Sequence, residues 1–169
     1  MAMVRDIVTY PDPVLTCRAR DIEEITPEIA ALIEDMVETM YEKEGVGLAA
    51  PQVGESVRLI TVDPTGPKLR GDLAVLVNPR ITHAEGEQDS EERCLSVVDA
   101  TCTFRRARKI TVEGLNEKGE PVKLELEDFP AVVFQHEIDH LDGVLIIDHV
   151  SRLKRVLYDK KIKKRLKQA

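Results

Sequence analysis

His136, Glu137 and His140, in the stretch FPAVVFQHEIDHLDG from Phe129 to Gly143, are the residues whose types and spacing carry chemistry most directly. A helix turns once in about 3.6 residues, so positions four apart share a face and both imidazoles reach one cation while Glu137 stands beside them. That is the HExxH arrangement of a metal hydrolase, two ligands with an adjacent carboxylate to move protons. Both ends of the helix are written in the sequence: Asp128 is expected as its N-cap, Pro130 in its first turn, and Gly143 at the left-handed residue that closes it. Phe129, Val132, Val133, Phe134, Ile138 and Leu141 are apolar on every side, which predicts burial. Two histidines merely hydrogen-bonded on a surface helix are the plain alternative, and the apolar flanks and clean caps weigh against it.

HExxH supplies two ligands, whereas a catalytic site of the zinc type holds three and an open position. The extended HExxHxxGxxH pattern is followed through Gly143 but ends on Ile146 in place of the third histidine. No glutamate follows Glu137. Asp148 and His149 lie close behind the helix stop without ligand spacing, so the third donor is expected upstream, with Cys94 the leading candidate. As a thiolate it would be held deprotonated by the cation. The odd count of three cysteines, Cys17, Cys94 and Cys102, has no framework spacing and predicts reduced thiols.

GVGLAAPQVG, from Gly45 to Gly54, places small residues around Gln52, as a backbone does where something must approach closely. It lacks the lysine and serine or threonine of a phosphate loop and does not open a helix with G-x-G-x-x-G. A tight packed turn is one reading. The other is a site in which the Gln52 amide meets an oxyanion forming on a substrate carbonyl.

These residues need elements to position them. With 169 residues and 43% apolar content, the chain is expected to form one domain, 1–169, with its own core. Residues 1–25, interrupted by Pro11 and Pro13, read as an irregular arm wrapped over that domain. Thr26 and Pro27 open an amphipathic helix whose stripe is Ile29, Leu32, Ile33, Met36, Val37 and Met40. Val57–Val62 and Leu73–Val77 read as strands, the second turning at Asn78 and Pro79, while 81–93 is a polar strand edge or loop leading to Cys94. Ile110–Leu115 and Pro121–Leu126 form a hairpin about Gly119, which delivers the chain into the HExxH helix. A C-terminal helix over about 149–167 is expected to lay Val150, Leu153, Val156, Leu157 and Leu166 on the body.

Residues 152–169 hold nine Lys or Arg against one Asp, a net charge of +8, and leave −15 on the rest of the chain. An acidic body with a basic end predicts two surfaces with different partners. No apolar run is long enough to span a membrane, and the start MAMVRDIV lacks a signal-type stretch, so a soluble cytoplasmic protein without DNA or membrane partners is expected.

Three separated segments coincide with one family. GVGLAAPQ resembles the first motif of the peptide deformylases, ERCLS is similar to their EGCLS, and QHEIDHLDG to their QHExDHLxG. YPDPVL near the start extends the likeness over nearly the whole chain, in order. The resemblance implies an α+β fold with mixed and antiparallel strands around the central HExxH helix. It implies a divalent metal on Cys94, His136 and His140, usually ferrous iron, with zinc, nickel or cobalt able to replace it. Glu137 is then the general base and acid, Gln52 and the Leu95 N–H support the oxyanion, and Val46 and Gly47 lie where substrate approaches. The substrate implied is the formyl-methionyl end of a new protein, and C-terminal helices of some family members contact the ribosome. Val132 and Val133, one turn before His136, are placed either to line a pocket for the methionine side chain or to pack in the core. Arg93 stands where the family has Gly and Val98 where it commonly has Pro, which bears on the substrate rim. A metallopeptidase acting on internal amides and a catalytically silent, metal-stabilised peptide-binding protein are the rival readings.

Overall fold

In the computed structural model of the chain, which describes residues 1–168, the first helix, α1 (Pro27–Glu42), starts where the Thr26 hydroxyl accepts the Ile29 N–H at 3.2 Å. Ala169, the last residue of the expected 1–169 domain, lies outside the described residues. The stretch read as a loop after α1 contains a short strand, β1 (Gly47–Ala49), and a 3-10 turn over Ala50–Val53. Next come β2 (Leu59–Val62), a one-turn helix α2 (Gly66–Leu69) and β3 (Ala74–Glu85). They are followed by β4 (Gln88–Cys94), β5 (Val97–Arg106), β6 (Lys109–Leu115) and β7 (Pro121–Glu127). Two helices end the chain, α3 (Asp128–Leu141) and α4 (Arg152–Gln168).

Every pairing between named strands is antiparallel, in a five-stranded sheet of order β1-β2-β3-β6-β7 and a separate β4–β5 hairpin. The fold is thus the expected α+β arrangement around the HExxH helix. Strand alternation divides the core: Leu59, Val75 and Val77 pack with Leu32, Met36 and Met40 of α1, whereas Ile60, Val62 and Leu76 pack with Val133, Phe134 and Ile138 of α3. A third cluster joins Val97 and Cys102 of β5 to Leu15, to Leu145–Ile147 and to Tyr158 and Ile162 of α4.

Three expectations change, and one open alternative is decided. Asn78 and Pro79 do not end a strand. β3 runs through them with an irregular register, Asn78 at φ +53, because its side-chain amide donates to the Ile22 carbonyl and accepts from the Ile22 N–H, both at 2.8 Å. The polar stretch 81–93 is mostly strand, split between β3 and β4. Asp128 is the first residue of α3 at φ +58, and Glu127 holds the cap position without a side-chain bond. α4 begins at Arg152 and turns Tyr158 and Ile162 inward, leaving Leu153, Leu157 and Leu166 exposed. No helix among the described residues is long and apolar enough to cross a membrane.

Candidate metal centre and cleft

The α3 helix ends as its sequence predicts: Gly143 adopts φ +73, and a methyl group there would sit 2.6 Å from the Thr16 carbonyl oxygen. Before that stop His136 and Glu137 line a cleft of about 830 Å³, and His140 is buried beside them, its ring 5.1 Å from that of His136. The tip of the β4–β5 hairpin brings Cys94 to them, its Sγ 3.3 Å from His140 Nε2. One donor atom from each of Cys94, His136 and His140 lies within 4.8 Å of the other two. Cys17 is exposed and Cys102 is buried in the third cluster, so neither shares the site. The expected upstream donor is therefore Cys94, while Asp148 faces Arg155 and His149 faces Asp139.

Burial pushes His140 well below the ordinary imidazole range, helped by the positive charges of His136 and Arg106, so its neutral, lone-pair form is favoured. His136 behaves differently. Burial acts downward on it too, but hydrogen bonds to Cys94 and Glu92 and the Glu137 charge raise it well above that range. A cation must compete with a proton there. With Glu92 Oε1 2.8 Å from His136 Nδ1, that nitrogen carries the donated proton and leaves Nε2 to the site. Glu92 itself is buried, which acts to raise its pKa, yet the Arg106 fork and His136 hold it down at about 2.

Glu137 is 3% exposed, and its Oε2 has no hydrogen-bond partner among the described residues. Burial raises its pKa to about 7, against the lowering charge of His136. The room for this carboxylate comes from Gly47 on β1: a Cβ there would stand 2.8 Å from Glu137 Cγ and 3.0 Å from Val133 Cγ1. Gln52 is fixed by both ends of its amide. Oε1 accepts the Ala49 N–H at 3.0 Å, and Nε2 points to Ser96 Oγ at 3.3 Å and Cys94 Sγ at 3.6 Å. Leu95 occupies the hairpin turn between Cys94 and its register partner Val97. Val46, Val132 and Val133 line the cleft, and the last two are also buried. Arg93 lies on the cleft wall, exposed, and makes no side-chain hydrogen bond or ion pair among the described residues.

A thiol and two imidazoles around one point, one imidazole oriented by a carboxylate behind it, fit a divalent cation that keeps an open position. The orphaned Glu137 oxygen beside them fits a group that handles protons at that position. Sequence reading missed Glu92, Arg106 and Ser96, and Phe129, expected among the buried residues of the helix, is 52% exposed on the cleft wall. Only for Glu92 was there a signal, since strand alternation puts a residue two before Cys94 on the same side.

Comparison with known proteins gives one answer. The sequence model of the polypeptide deformylase family matches residues 4–156. The chain is 47% identical to the peptide deformylase of Thermodesulfovibrio yellowstonii over 160 residues, covering 95% of this chain and 97% of that protein. Against the peptide deformylase of Acidobacterium capsulatum it is 48% identical over 162 residues, 96% of this chain and 95% of that one. A crystal structure of the Legionella pneumophila peptide deformylase superposes with a TM-score of 0.90 at 42% identity, over 98% of this chain and 97% of that one.

Proposed function

The chain belongs to the polypeptide deformylase family, and from that premise we propose how its residues carry out the reaction. It is a metal-dependent hydrolase that removes the N-formyl group from formyl-methionyl peptides. The observation that carries the reading is the meeting of Cys94, His136 and His140 next to a buried, unpartnered Glu137 oxygen.

Cys94, His136 and His140 would hold a divalent cation, which when bound would supply Lewis-acid chemistry and make water a nucleophile at neutral pH. Glu137 takes the proton of the water whose oxygen attacks the formyl carbon. The negative charge that develops on the carbonyl oxygen is met by the Gln52 amide and the Leu95 N–H. Glu137 then delivers its proton to the leaving nitrogen, the C–N bond breaks, and formate and a peptide with a free N-terminal methionine result. Held by Ala49 and Ser96, Gln52 needs no reorganisation as the charge forms. Val46 and Gly47 border the peptide, Val132 and Val133 receive the methionine side chain, and Arg93 selects among the residues that follow it.

Ferrous iron is the cation assigned in the cell, with zinc, nickel or cobalt able to replace it, as the softness of one thiolate and two imidazoles allows. The reaction is placed in the cytoplasm, on nascent chains, with α4 turned to ribosomal RNA through its excess of lysines. Formate release from a formyl-methionyl peptide by protein purified anaerobically with ferrous iron tests the reaction. Cleavage of internal amides without formate would favour the metallopeptidase instead, and neither product the silent binding protein.

A further inference from the structure

His149, for which the sequence offered no role, stands at the outer end of a hydrogen-bonded chain that reaches the metal centre. Its Nε2 lies 2.9 Å from Asp139 Oδ2, the same oxygen that accepts from Arg106 Nη1 at 2.6 Å. Arg106 gives its Nε and Nη2 to the two oxygens of Glu92, each at 2.9 Å, and Glu92 Oε1 holds His136 Nδ1 at 2.8 Å. The inner links are dry, Arg106 and Glu92 being 6% exposed each. At the outer end the side chains of Asp139 and His149 are 27% and 31% exposed. Phe104 ties the two donors together from the side. The His149 ring stacks on it at 4.4 Å and 10°, and the Arg106 guanidinium carbon stands 4.7 Å from the centre of the same ring.

We propose that His149 is a positioning residue for the metal centre: it fixes Asp139, Asp139 fixes the Arg106 fork, and the fork holds the Glu92 carboxylate that orients His136. A carboxylate oxygen shared by two donors has one favoured orientation. With His149 absent, the partly exposed Asp139 is free to turn toward water, and Arg106 loses the partner that sets the plane of its guanidinium. The fork on Glu92 then slackens, and with it the hydrogen bond that sets the tautomer and plane of His136. The charge-assisted bonds between Arg106 and Glu92 transmit such a change inward because these buried links lack a solvent substitute.

The inference rests on His136 being a metal ligand, so the test includes His136→Ala. Cobalt(II)-loaded protein is mixed with excess chelator, and loss of the ligand-field absorption gives the dissociation rate. His149→Ala is expected to release cobalt about three- to tenfold faster, less than the roughly 10–100-fold cost of removing a direct partner of a ligand. His149→Gln, whose amide nitrogen donates to Asp139, should return to the wild-type rate. His149→Phe keeps a ring on Phe104 but donates nothing, and should behave as His149→Ala. Rescue by Phe and not by Gln, or a His149→Ala rate equal to wild type, overturns the proposal. Full cobalt retention by His136→Ala would instead overturn the metal-site reading itself, whatever the His149 variants do.

Discussion

At the floor of the cleft a single methyl group decides where Glu137 stands. The Cβ of Gly47→Ala would meet Glu137 Cγ at 2.8 Å, Cδ at 3.0 Å and Val133 Cγ1 at 3.0 Å, and the helix that carries them is packed against the sheet. The carboxylate must move while the three donors stay, so this variant should keep its full complement of metal and lose about tenfold to 10²-fold in turnover, the scale of a small misplacement of a reacting group. Metal analysis beside steady-state kinetics checks it, and turnover equal to wild type would show that Glu137 has slack. His136, Glu137 and His140 were legible in the chain because a helix converts a spacing of four into a shared face. Cys94 was reached by exclusion of other donors. Glu92 and Arg106 were not legible as a pair: they stand 14 residues apart on opposite arms of the β4–β5 hairpin, a relation that exists only once the register is fixed. Within the acidic run Glu91-Glu92, only alternation counted back from Cys94 distinguishes the buried carboxylate from the exposed one, and it applies once the stretch is known to be a strand.

Among the elements, α4 shows what periodicity leaves undecided. Its apolar residues fall on two opposite sides, Leu153, Val156 and Leu157 on one, Tyr158 and Ile162 on the other, at about 100° per residue. The stripe chosen from the sequence is the exposed one, with Leu153 at 68% and Leu157 at 56%, because the body offers α4 the end of β5, not a broad face. There the Tyr158 hydroxyl donates to the Val98 carbonyl at 3.0 Å, and Lys161 and Arg165 grip Asp99, just past the Cys94 turn. Ile162→Ala should therefore cost about 2–4 kcal/mol, as core isoleucines do, while Leu157→Ala stays within about 0.5 kcal/mol. Urea denaturation of both variants decides between the two faces, and the opposite ranking would restore the stripe read from the sequence. The same contacts mean that deleting residues 152–168 would remove core as well as charge. β5 escaped the sequence reading for a related reason: VVDATCTFRR alternates weakly, since one of its faces packs on Ile146 and Ile147, which become neighbours only after α3 has turned back at Gly143.

Over the whole molecule two features act at long range, the separation of charge and the N-terminal arm. The +8 of residues 152–169 sits on a body of −15, and Lys160, Lys163, Lys164 and Lys167 are exposed and unengaged among the described residues, unlike Lys161 and Arg165. Changing those four to Glu should abolish ribosome co-sedimentation at low salt and leave hydrolysis of a free peptide unchanged, and the wild-type binding should fall steeply as salt rises. Undiminished binding by the variant would remove α4 as the anchor. The arm works in the other direction, tying the layers to one another. Its backbone N–H groups bond the Gln52 carbonyl from Val8 at 2.7 Å, the Ser96 carbonyl from Tyr10 at 2.8 Å and the Leu141 carbonyl from Ala19 at 2.8 Å. It thus touches the turn that carries Gln52, the hairpin turn and the end of α3. Its outer anchor is Asp35 on α1, which accepts the Met3 N–H at 2.8 Å and Arg5 Nε at 3.0 Å. The Met3 backbone bond, opposed by burial and reinforced by Arg5, lowers the Asp35 pKa below its ordinary value. The unfolded chain then binds this proton more readily than the folded one. The stabilisation is complete above the unfolded carboxyl pKa of about 4 and is lost as pH falls through that value toward the lower folded one. Asp35→Asn should accordingly be less stable than wild type at pH 7, with the difference shrinking below about pH 4. Denaturation of both proteins across that range tests it in metal-free form, because protonation of the site histidines is common to the two and cancels in the difference. A gap that stays constant down to the lowest pH would mean that Asp35 holds the arm by shape and not by charge.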